Sequence, residues 1–173
     1  MTRVTSVLKP FSDFSKIPPG VLLAASERGT LVHKICACYA RDFPWLLDIP
    51  PECEGYVKSF KNWFDAQVVD VLLVEERLFD NDLGFSGEPD LVVEMKTEGV
   101  VLIDLKTPVV LQKTWKAQLA AYLHLARKRF DIKIAGSLRA SPTGGVAKVD
   151  WFEEEGRDFA AFLSALNCFN YFF

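Results

Sequence analysis

The sequence predicts a single α/β domain in which a mixed sheet is flanked by helices. Three observations lead to this prediction: a chain of 173 residues of which 50% are hydrophobic, helical spacing of apolar residues towards both ends, and runs of valine, leucine and isoleucine in the middle. A chain of this length and apolar content can bury one core of ordinary size. We therefore expect residues 1–173 to form one domain, of α/β or α+β type.

Two helices are predicted in the first third of the chain. Apolar residues recur three and four positions apart over Ser26–Arg41, which is the spacing of one helix face. Aromatic residues repeat every four positions over Glu52–Ala66, behind a pair of prolines that favours a helix start. The stretches expected to be irregular are Met1–Gly20 and Asp42–Pro51.

Three consecutive strands are predicted next, because apolar runs alternate there with turn-prone asparagine, aspartate and glycine. Their expected bounds are Val68–Phe79, Leu91–Met95 and Val100–Leu105. Helical spacing then returns over Trp115–Phe130, and a hairpin is predicted around Gly144 and Gly145, followed by a last helix. The hairpin strands are expected over Lys133–Ala140 and Val146–Trp151, and the last helix over Gly156–Phe169.

The charges are distributed unevenly along the chain, although the net charge is only -3. Residues 106–148 carry nine basic side chains and one acidic side chain, whereas residues 1–105 carry ten basic and seventeen acidic ones. This division suits a phosphate-facing surface beside an acidic pocket for divalent cations, and an unevenly charged solvated surface would look the same. The basic run Arg127–Arg129 suits either phosphate binding or the C-terminal end of a helix.

The N-terminal segment and the cysteines indicate an intracellular, cytoplasmic protein that does not act at a membrane. Residues 1–20 contain charged residues and three prolines instead of an unbroken apolar run, so we expect neither a secretory signal nor a membrane span there. The four cysteines form no CxxC pair. We expect reduced and mostly buried thiols, since a core of this size needs no disulfides.

The strand predicted over Val100–Leu105 leads into two charged residues, Asp104 and Lys106. Its continuous apolar run indicates a central strand buried on both faces, where charges are ordinarily excluded. Side chains two positions apart share a strand face, so Asp104 and Lys106 point the same way and Leu105 points away. A carboxylate and an ammonium group therefore lie side by side at a strand end.

A second carboxylate is expected at the same place. We expect the preceding strand to begin at Gly87-Glu88-Pro89-Asp90, so a hairpin would bring Asp90 opposite Asp104. Two close carboxylates in a partly desolvated cleft raise one pKa unless a hard cation such as Mg²⁺ or Mn²⁺ lies between them. Such a metal could polarise a phosphate group and lower the pKa of bound water, while Lys106 stabilises negative charge or positions the water.

These residues resemble the PD-(D/E)XK nuclease superfamily. The run GEPD, followed by thirteen residues and then DLKT, matches its Pro-Asp and Asp-x-Lys motifs on neighbouring strands. The sequence SERGTLVH ending at His33, Glu75 before the Gly87 strand, and the QLAAY run from Gln118 to Tyr122 resemble its RecB-type exonuclease branch. The resemblance extends over residues 27–122 and implies a restriction-endonuclease-like αβββαβ core.

The resemblance implies a role for each matching residue. His33, Asp90 and Asp104 would bind Mg²⁺ or Mn²⁺ together with the backbone carbonyl of Leu105. The catalytic set would be Asp90, Asp104, Lys106, Gln118 and Tyr122. The last two, one helical turn apart, would reach the lysine or the substrate. Glu75 and Glu88 are further candidates for the acidic cluster. No iron-sulphur cluster is expected, since the branch that has one uses several cysteines after the tyrosine helix and only Cys168 follows here.

Each motif alone has a plainer explanation. Asp-x-Lys is often a solvated strand edge, Pro-Asp a turn, His33 an ordinary helix histidine and Tyr122 a core residue. Trp115 suits core packing as well as base stacking. The joint occurrence of the motifs in order favours the nuclease interpretation. The candidate nucleic-acid contacts are Lys113, Trp115 and Lys116.

The resemblance implies a metal-dependent deoxyribonuclease, with an exonuclease of recombination, repair or phage replication as the leading hypothesis. Its substrate would be DNA ends or single strands, and it would act alone, as a homo-oligomer or with a recombination partner protein. A structure-selective or restriction-type endonuclease would use the same residues. The alternative from another class is a non-catalytic nucleic-acid-binding or assembly module that has kept the fold.

Overall fold

The computed structural model describes residues 1–12, 14–107 and 112–173, which form five α-helices and eight strands. The helices are α1 (Val4–Leu8), α2 (Pro19–Ala40), α3 (Pro51–Gln67), α4 (Lys113–Ala126) and α5 (Glu155–Phe172). The strands are β1 (Thr2–Arg3), β2 (Val68–Val74), β3 (Leu78–Asp80), β4 (Phe85–Gly87), β5 (Leu91–Met95), β6 (Gly99–Lys106), β7 (Ile134–Arg139) and β8 (Lys148–Phe152). The predicted α/β class is confirmed.

Five strands form the main sheet in the order β2-β5-β6-β7-β8. β5 is antiparallel to both of its neighbours, β6 and β7 are parallel, and β8 is antiparallel to β7. The parallel pair needs a crossover connection, which α4 supplies. Gly99 starts β6 with a φ of 74°, a left-handed conformation that glycine adopts without strain in the β5–β6 turn. Because β5 is antiparallel to β2 and β6, those two strands finish at the end of the sheet where β5 begins.

The main sheet is buried between two layers of helices. Val101 and Ile103 of β6 pack in the cluster with α2 and α3 residues, whereas Leu102 packs in the cluster with α4 and α5 residues. Strand β6 is therefore the central, doubly buried strand that its apolar run predicts. Since side chains alternate along a strand, Asp104 shares the α4 face with Leu102.

A second, smaller sheet has the strand order β1-β4-β3. β1 pairs in parallel with β4, and β3 pairs with β4 in the antiparallel sense. These strands are only two or three residues long, too short for alternation to be visible in the sequence. The prediction that residues 1–20 are irregular is accordingly wrong, because they contain β1, α1 and the start of α2.

Two predicted strands are each divided in the structure. The strand expected over Val68–Phe79 is interrupted between β2 and β3, because Glu75 has a φ of 44° and cannot continue an extended strand. The strand expected to begin at Gly87 is also two elements: Gly87 ends β4 and Leu91 begins β5. The three residues between them bring Asp90 to the start of β5.

The helix and hairpin predictions hold with changed bounds. Helix α2 begins at Pro19, seven residues before the predicted start, because Pro18 and Pro19 favour a helix start while the first turns carry no buried stripe that periodicity could reveal. Helix α4 ends at Ala126, before the predicted Phe130. β7 and β8 form the predicted antiparallel pair.

The cysteines and the helices can be compared with the expectations of reduced thiols and of no membrane-spanning segment. All four cysteines are free thiols; Cys36 and Cys53 are buried and Cys168 is exposed. Within residues 1–12, 14–107 and 112–173, no helix has both the length and the apolarity that crossing a membrane requires.

Candidate metal and catalytic centre

Three carboxylate residues lie side by side at the end of the main sheet where β2 and β6 end and β5 begins. Leu91 is opposite Val74 on one side and Ile103 on the other, so the adjoining residues Glu75, Asp90 and Asp104 come together. The amide of Leu105 donates a hydrogen bond to Asp90 Oδ2 at 2.6 Å. The prediction that Asp90 faces the 104–106 region is therefore confirmed.

Helix α2 brings His33 to the same edge. Its neighbour Val32 is buried in the core between α2 and the sheet, which holds the helix in place. His33 Nδ1 lies 3.1 Å from Asp90 Oδ1. One ligand atom from each of His33, Glu75 and Asp90 can be chosen so that all three lie within 4.8 Å of one another.

Glu75 reaches this group through an unusual backbone conformation. A φ of 44° in a residue other than glycine costs on the order of 1 kcal/mol. Two contacts hold it: the Glu75 amide donates to the Asp90 carbonyl at 3.0 Å, and Arg41 Nη1 lies 3.5 Å from Glu75 Oε2. Arg41 also donates to the Val74 carbonyl at 2.7 Å. With this backbone conformation β2 ends, and the Glu75 carboxylate lies within 4.8 Å of the Asp90 carboxylate.

The Asp104 side chain lies outside that group of three, on the α4 side of the sheet. Its Oδ2 atom is 2.5 Å from Lys106 Nζ, and the predicted shared orientation of the two side chains is confirmed. The same Oδ2 atom is buried and receives no hydrogen bond of regular geometry from the described residues. Asp104 Oδ1 accepts a hydrogen bond from Gln118 Nε2 at 3.3 Å.

Helix α4 completes a polar network around the lysine. Lys106 Nζ donates to Gln118 Oε1 at 3.2 Å, and Gln118 Nε2 donates to Tyr122 Oη at 3.1 Å. Trp115, one turn earlier, is buried, and its ring centroid is 5.3 Å from Lys106 Nζ. Gln118 therefore reaches the lysine as predicted. Trp115 is buried and packs against the lysine, which agrees with the core-packing interpretation of this residue.

The hydroxyl of Tyr122 is close to this network because Gly87 has no side chain. A Cβ atom at Gly87 would lie 2.7 Å from carbon atoms of the Tyr122 ring, closer than real Cβ contacts come. Burial raises the pKa of the Tyr122 hydroxyl, and the Asp104 charge adds to the effect. The hydroxyl is thus neutral at physiological pH and acts through hydrogen bonding.

Burial and neighbouring charges shift the acid–base properties of the centre. Burial raises the pKa of Asp104 and the Asp90 charge adds to it, outweighing the Lys106 ammonium group. Burial would also raise the pKa of Asp90, but His33, Lys106 and the Leu105 amide hold it below its usual range. Burial lowers the pKa of His33, yet the Asp90 carboxylate raises it by more. The pKa values of the two aspartates are therefore shifted in opposite directions, as expected for two close carboxylates.

A cleft of about 300 Å³ gives access to these groups. Its lining includes Arg3 of β1 and Arg77, which no sequence pattern singled out. Glu88 lines the same cleft, but its Oε2 atom is 3.0 Å from Arg77 Nη2, and it is not in the group of three potential ligands. Arg3 and Arg77 could be found only from the fold, because short strands and loops bring them to the cleft.

The basic side chains after residue 106 are mostly paired with carboxylates. Arg127 pairs with Glu155, Lys128 with Asp80 and Arg129 with Glu76. The run Arg127–Arg129 is therefore neutralised locally and offers little charge to a phosphate backbone. Two of the candidate nucleic-acid contacts, Lys113 and Lys116, are exposed at the start of α4.

The donor atoms fit a divalent cation. Two carboxylates and an imidazole suit Mn²⁺, and a site richer in oxygen suits Mg²⁺. Asp104 is not in this group of three, and its Oδ2 atom is ion-paired with Lys106 Nζ at 2.5 Å. The Leu105 carbonyl points to the side of β6 that faces Asp90, because the amide and carbonyl of one strand residue point the same way.

The sequence profile of the PD-(D/E)XK nuclease superfamily matches residues 39–150. This match covers more than half of the chain, and the chain therefore belongs to the PD-(D/E)XK nuclease superfamily. No curated protein sequence matches the chain significantly. The matched segment contains Glu75, Asp90, Asp104, Lys106 and Gln118, whereas His33 precedes it.

Proposed function

We propose that this protein is a metal-dependent nuclease that hydrolyses DNA phosphodiester bonds, acting as an exonuclease at DNA ends in recombination, repair or phage replication. The observation that carries the proposal is the group of His33, Glu75 and Asp90 beside the Asp104–Lys106 ion pair at one sheet edge. Metal ligands next to a buried cation suit phosphodiester cleavage. Membership of the superfamily supports the same reaction class.

His33, Glu75 and Asp90 would hold Mg²⁺ or Mn²⁺, with Asp104 and the Leu105 carbonyl as further ligands. The bound ion would supply a Lewis acid for the phosphate and a water of lowered pKa. The chain's own contribution is to keep the ligands in position: the Leu105 amide fixes Asp90, and Arg41 with the Asp90 carbonyl fixes Glu75.

Lys106 would act on the phosphate or on the attacking water. Its ammonium group is held by Asp104 and Gln118 and is only 14% exposed, so its charge acts in a poorly screened environment. Negative charge that develops on a phosphate oxygen would be stabilised there. Gln118 and Tyr122 are positioning residues, because they orient the lysine and the Asp104 carboxylate.

Exonuclease action on DNA is supported by the resemblance to the RecB-type branch in His33, the two aspartates, Lys106 and the Gln118–Tyr122 pair. The test is to incubate linear and covalently closed circular DNA with Mg²⁺ or Mn²⁺. We expect loss of the linear DNA alone. Cleavage of the circle would indicate an endonuclease, and DNA binding without any metal-dependent cleavage would indicate a non-catalytic module and overturn the proposal.

Variants separate the centre from the rest of the surface. Asp104→Ala and Lys106→Ala should each lower the rate at least ~100-fold, whereas Lys148→Ala, which removes an exposed lysine on β8, should not. Lys106→Ala should also keep its Mn²⁺ affinity, measured by calorimetry, because the lysine is not a ligand. Equal losses of metal affinity and turnover would contradict the role given to Lys106.

A further inference from the structure

A larger groove of about 880 Å³ continues from the cleft. The two share six lining residues: Thr5, His33, Glu75, Glu88, Lys106 and Gln118. The other walls of the groove come from the end of α1 and the segment after it, from the N-terminal half of α2 and from the start of α4. Whatever occupies this groove can therefore extend directly to the candidate centre.

The lining combines three kinds of surface. Apolar side chains come from Leu8, Phe14 and Leu22. Hydroxyl groups come from serines and threonines on all three walls, such as Ser12, Thr30 and Thr114. Apolar and aromatic surfaces take the faces of unpaired bases, and hydroxyl groups bind base edges and sugars.

The charges of the groove suit a single nucleic-acid strand of which only a few phosphates contact the protein. Lys9 and Lys34 line the groove, and neither forms an ion pair with any residue in the described ranges. Duplex binding usually relies on many cations facing the two backbones. The run Arg127–Arg129 does not provide such a set of free cations, because its charges are paired with carboxylates.

We propose that this groove, the strand groove, binds an unpaired stretch of nucleic acid that leads into the catalytic centre. The protein then selects single-stranded over double-stranded substrate. The inference rests on the proposed function, because the strand is assigned a path towards the metal ligands. Its occupant is recognised by base faces on apolar side chains and by phosphates near Lys9 and Lys34.

Neighbouring alanines of α2 provide a matched test. Ala25 lines the strand groove, whereas Ala24 is exposed and is not part of the lining. Ala25→Glu puts a carboxylate against the strand, and Ala24→Glu adds the same charge on the same helix outside the groove. The probe is a fluorescent oligothymidylate of about twelve nucleotides, within the usual range of single-strand sites, and binding is measured by anisotropy in EDTA so that no cleavage occurs.

We expect Ala25→Glu to weaken binding about tenfold and Ala24→Glu to leave it within about twofold, since tenfold corresponds to the energy of one stacked base. A blunt duplex of the same length should bind the wild-type protein at least about tenfold more weakly. Equal affinities of the two variants would mean that a peptide or another occupant uses the groove, and would overturn the inference. Equal binding of duplex and single strand would overturn it as well.

The binding assay is independent of catalysis. A protein that shows the loss specific to Ala25→Glu but cleaves no DNA with Mg²⁺ or Mn²⁺ would keep the strand groove and reject the nuclease proposal. A protein that cleaves DNA but binds the probe equally in both variants would keep the nuclease proposal and reject the strand groove.

Discussion

Glu75 and Glu88 line the same cleft but have different environments. Glu75 is held in a left-handed backbone conformation beside Asp90, and its side chain is 28% exposed. Burial raises its pKa and the Asp90 charge adds to the shift. Glu88 is 46% exposed and pairs with Arg77. The two glutamates therefore allow a matched comparison of a proposed metal ligand with a surface ion pair.

Replacing Glu75 by glutamine should weaken Mn²⁺ binding at least about tenfold, because it removes one of the charged ligands around a hard cation. Glu88→Gln should change the affinity less than about threefold, because an exposed ion pair contributes little. Isothermal titration calorimetry measures both. Similar losses in the two variants would show that the ligand group of His33, Glu75 and Asp90 is wrongly chosen.

An ion cluster around the buried carboxylate of Asp80 joins the small sheet to α4 and the residues that follow it. This aspartate ends β3 and is only 2% exposed. Its Oδ2 atom is 2.7 Å from His124 Nε2 and 2.8 Å from Lys128 Nζ, and its Oδ1 atom accepts the Leu83 amide at 2.9 Å. These contacts, with Lys128 first, hold the pKa of Asp80 well below its usual 3.8.

Asp80→Asn should lower the free energy of unfolding by about 2 kcal/mol at neutral pH, because charged hydrogen bonds of a buried carboxylate are lost. A carboxylate with a lowered pKa in the folded state stabilises it above the unfolded-state pKa and ceases to do so as pH falls through the folded value. The difference between wild type and variant should thus shrink below pH 3.8. Urea unfolding at neutral pH and near pH 3 measures this.

Asp131→Asn is the control, because Asp131 also pairs with a lysine but is 88% exposed. Its unfolding curve should coincide with that of the wild type at both pH values. A gap between wild type and Asp80→Asn that widens on acidification would contradict the assigned sign.

Predictability also differs between elements. The sequence predicts β5, β6 and the long helices because each has a repeating apolar pattern, and it finds Asp104 and Lys106 because two charges end such a pattern. It cannot predict β1, β3 and β4, which are too short to alternate. Glu75 remained one of two further candidates for the acidic cluster. Its position depends on a single left-handed backbone conformation, which cannot be predicted from a glutamate in the sequence.

At the scale of the whole molecule, the uneven charge along the chain does not produce an equally uneven surface. Folding pairs basic residues from the second half with carboxylates that are distant in sequence, such as Arg129 with Glu76 and Lys128 with Asp80. Sequence arithmetic counts charges in segments, whereas substrate attraction depends on which cations keep a free face. Among those that line the strand groove, Lys34 has no ion pair within the described part of the chain.

Lys34 and Arg129 should therefore respond differently to neutralisation. Lys34→Gln should weaken binding of single-stranded oligothymidylate several-fold and reduce the slope of log affinity against log salt by about 0.7, the value for one phosphate contact on a single strand. Arg129→Gln should leave both quantities unchanged, because its charge already faces Glu76. Anisotropy titrations across a range of salt concentrations measure the slopes. A reduced slope for Arg129→Gln with an unchanged one for Lys34→Gln would mean that phosphates contact the basic run after α4 instead of the strand groove.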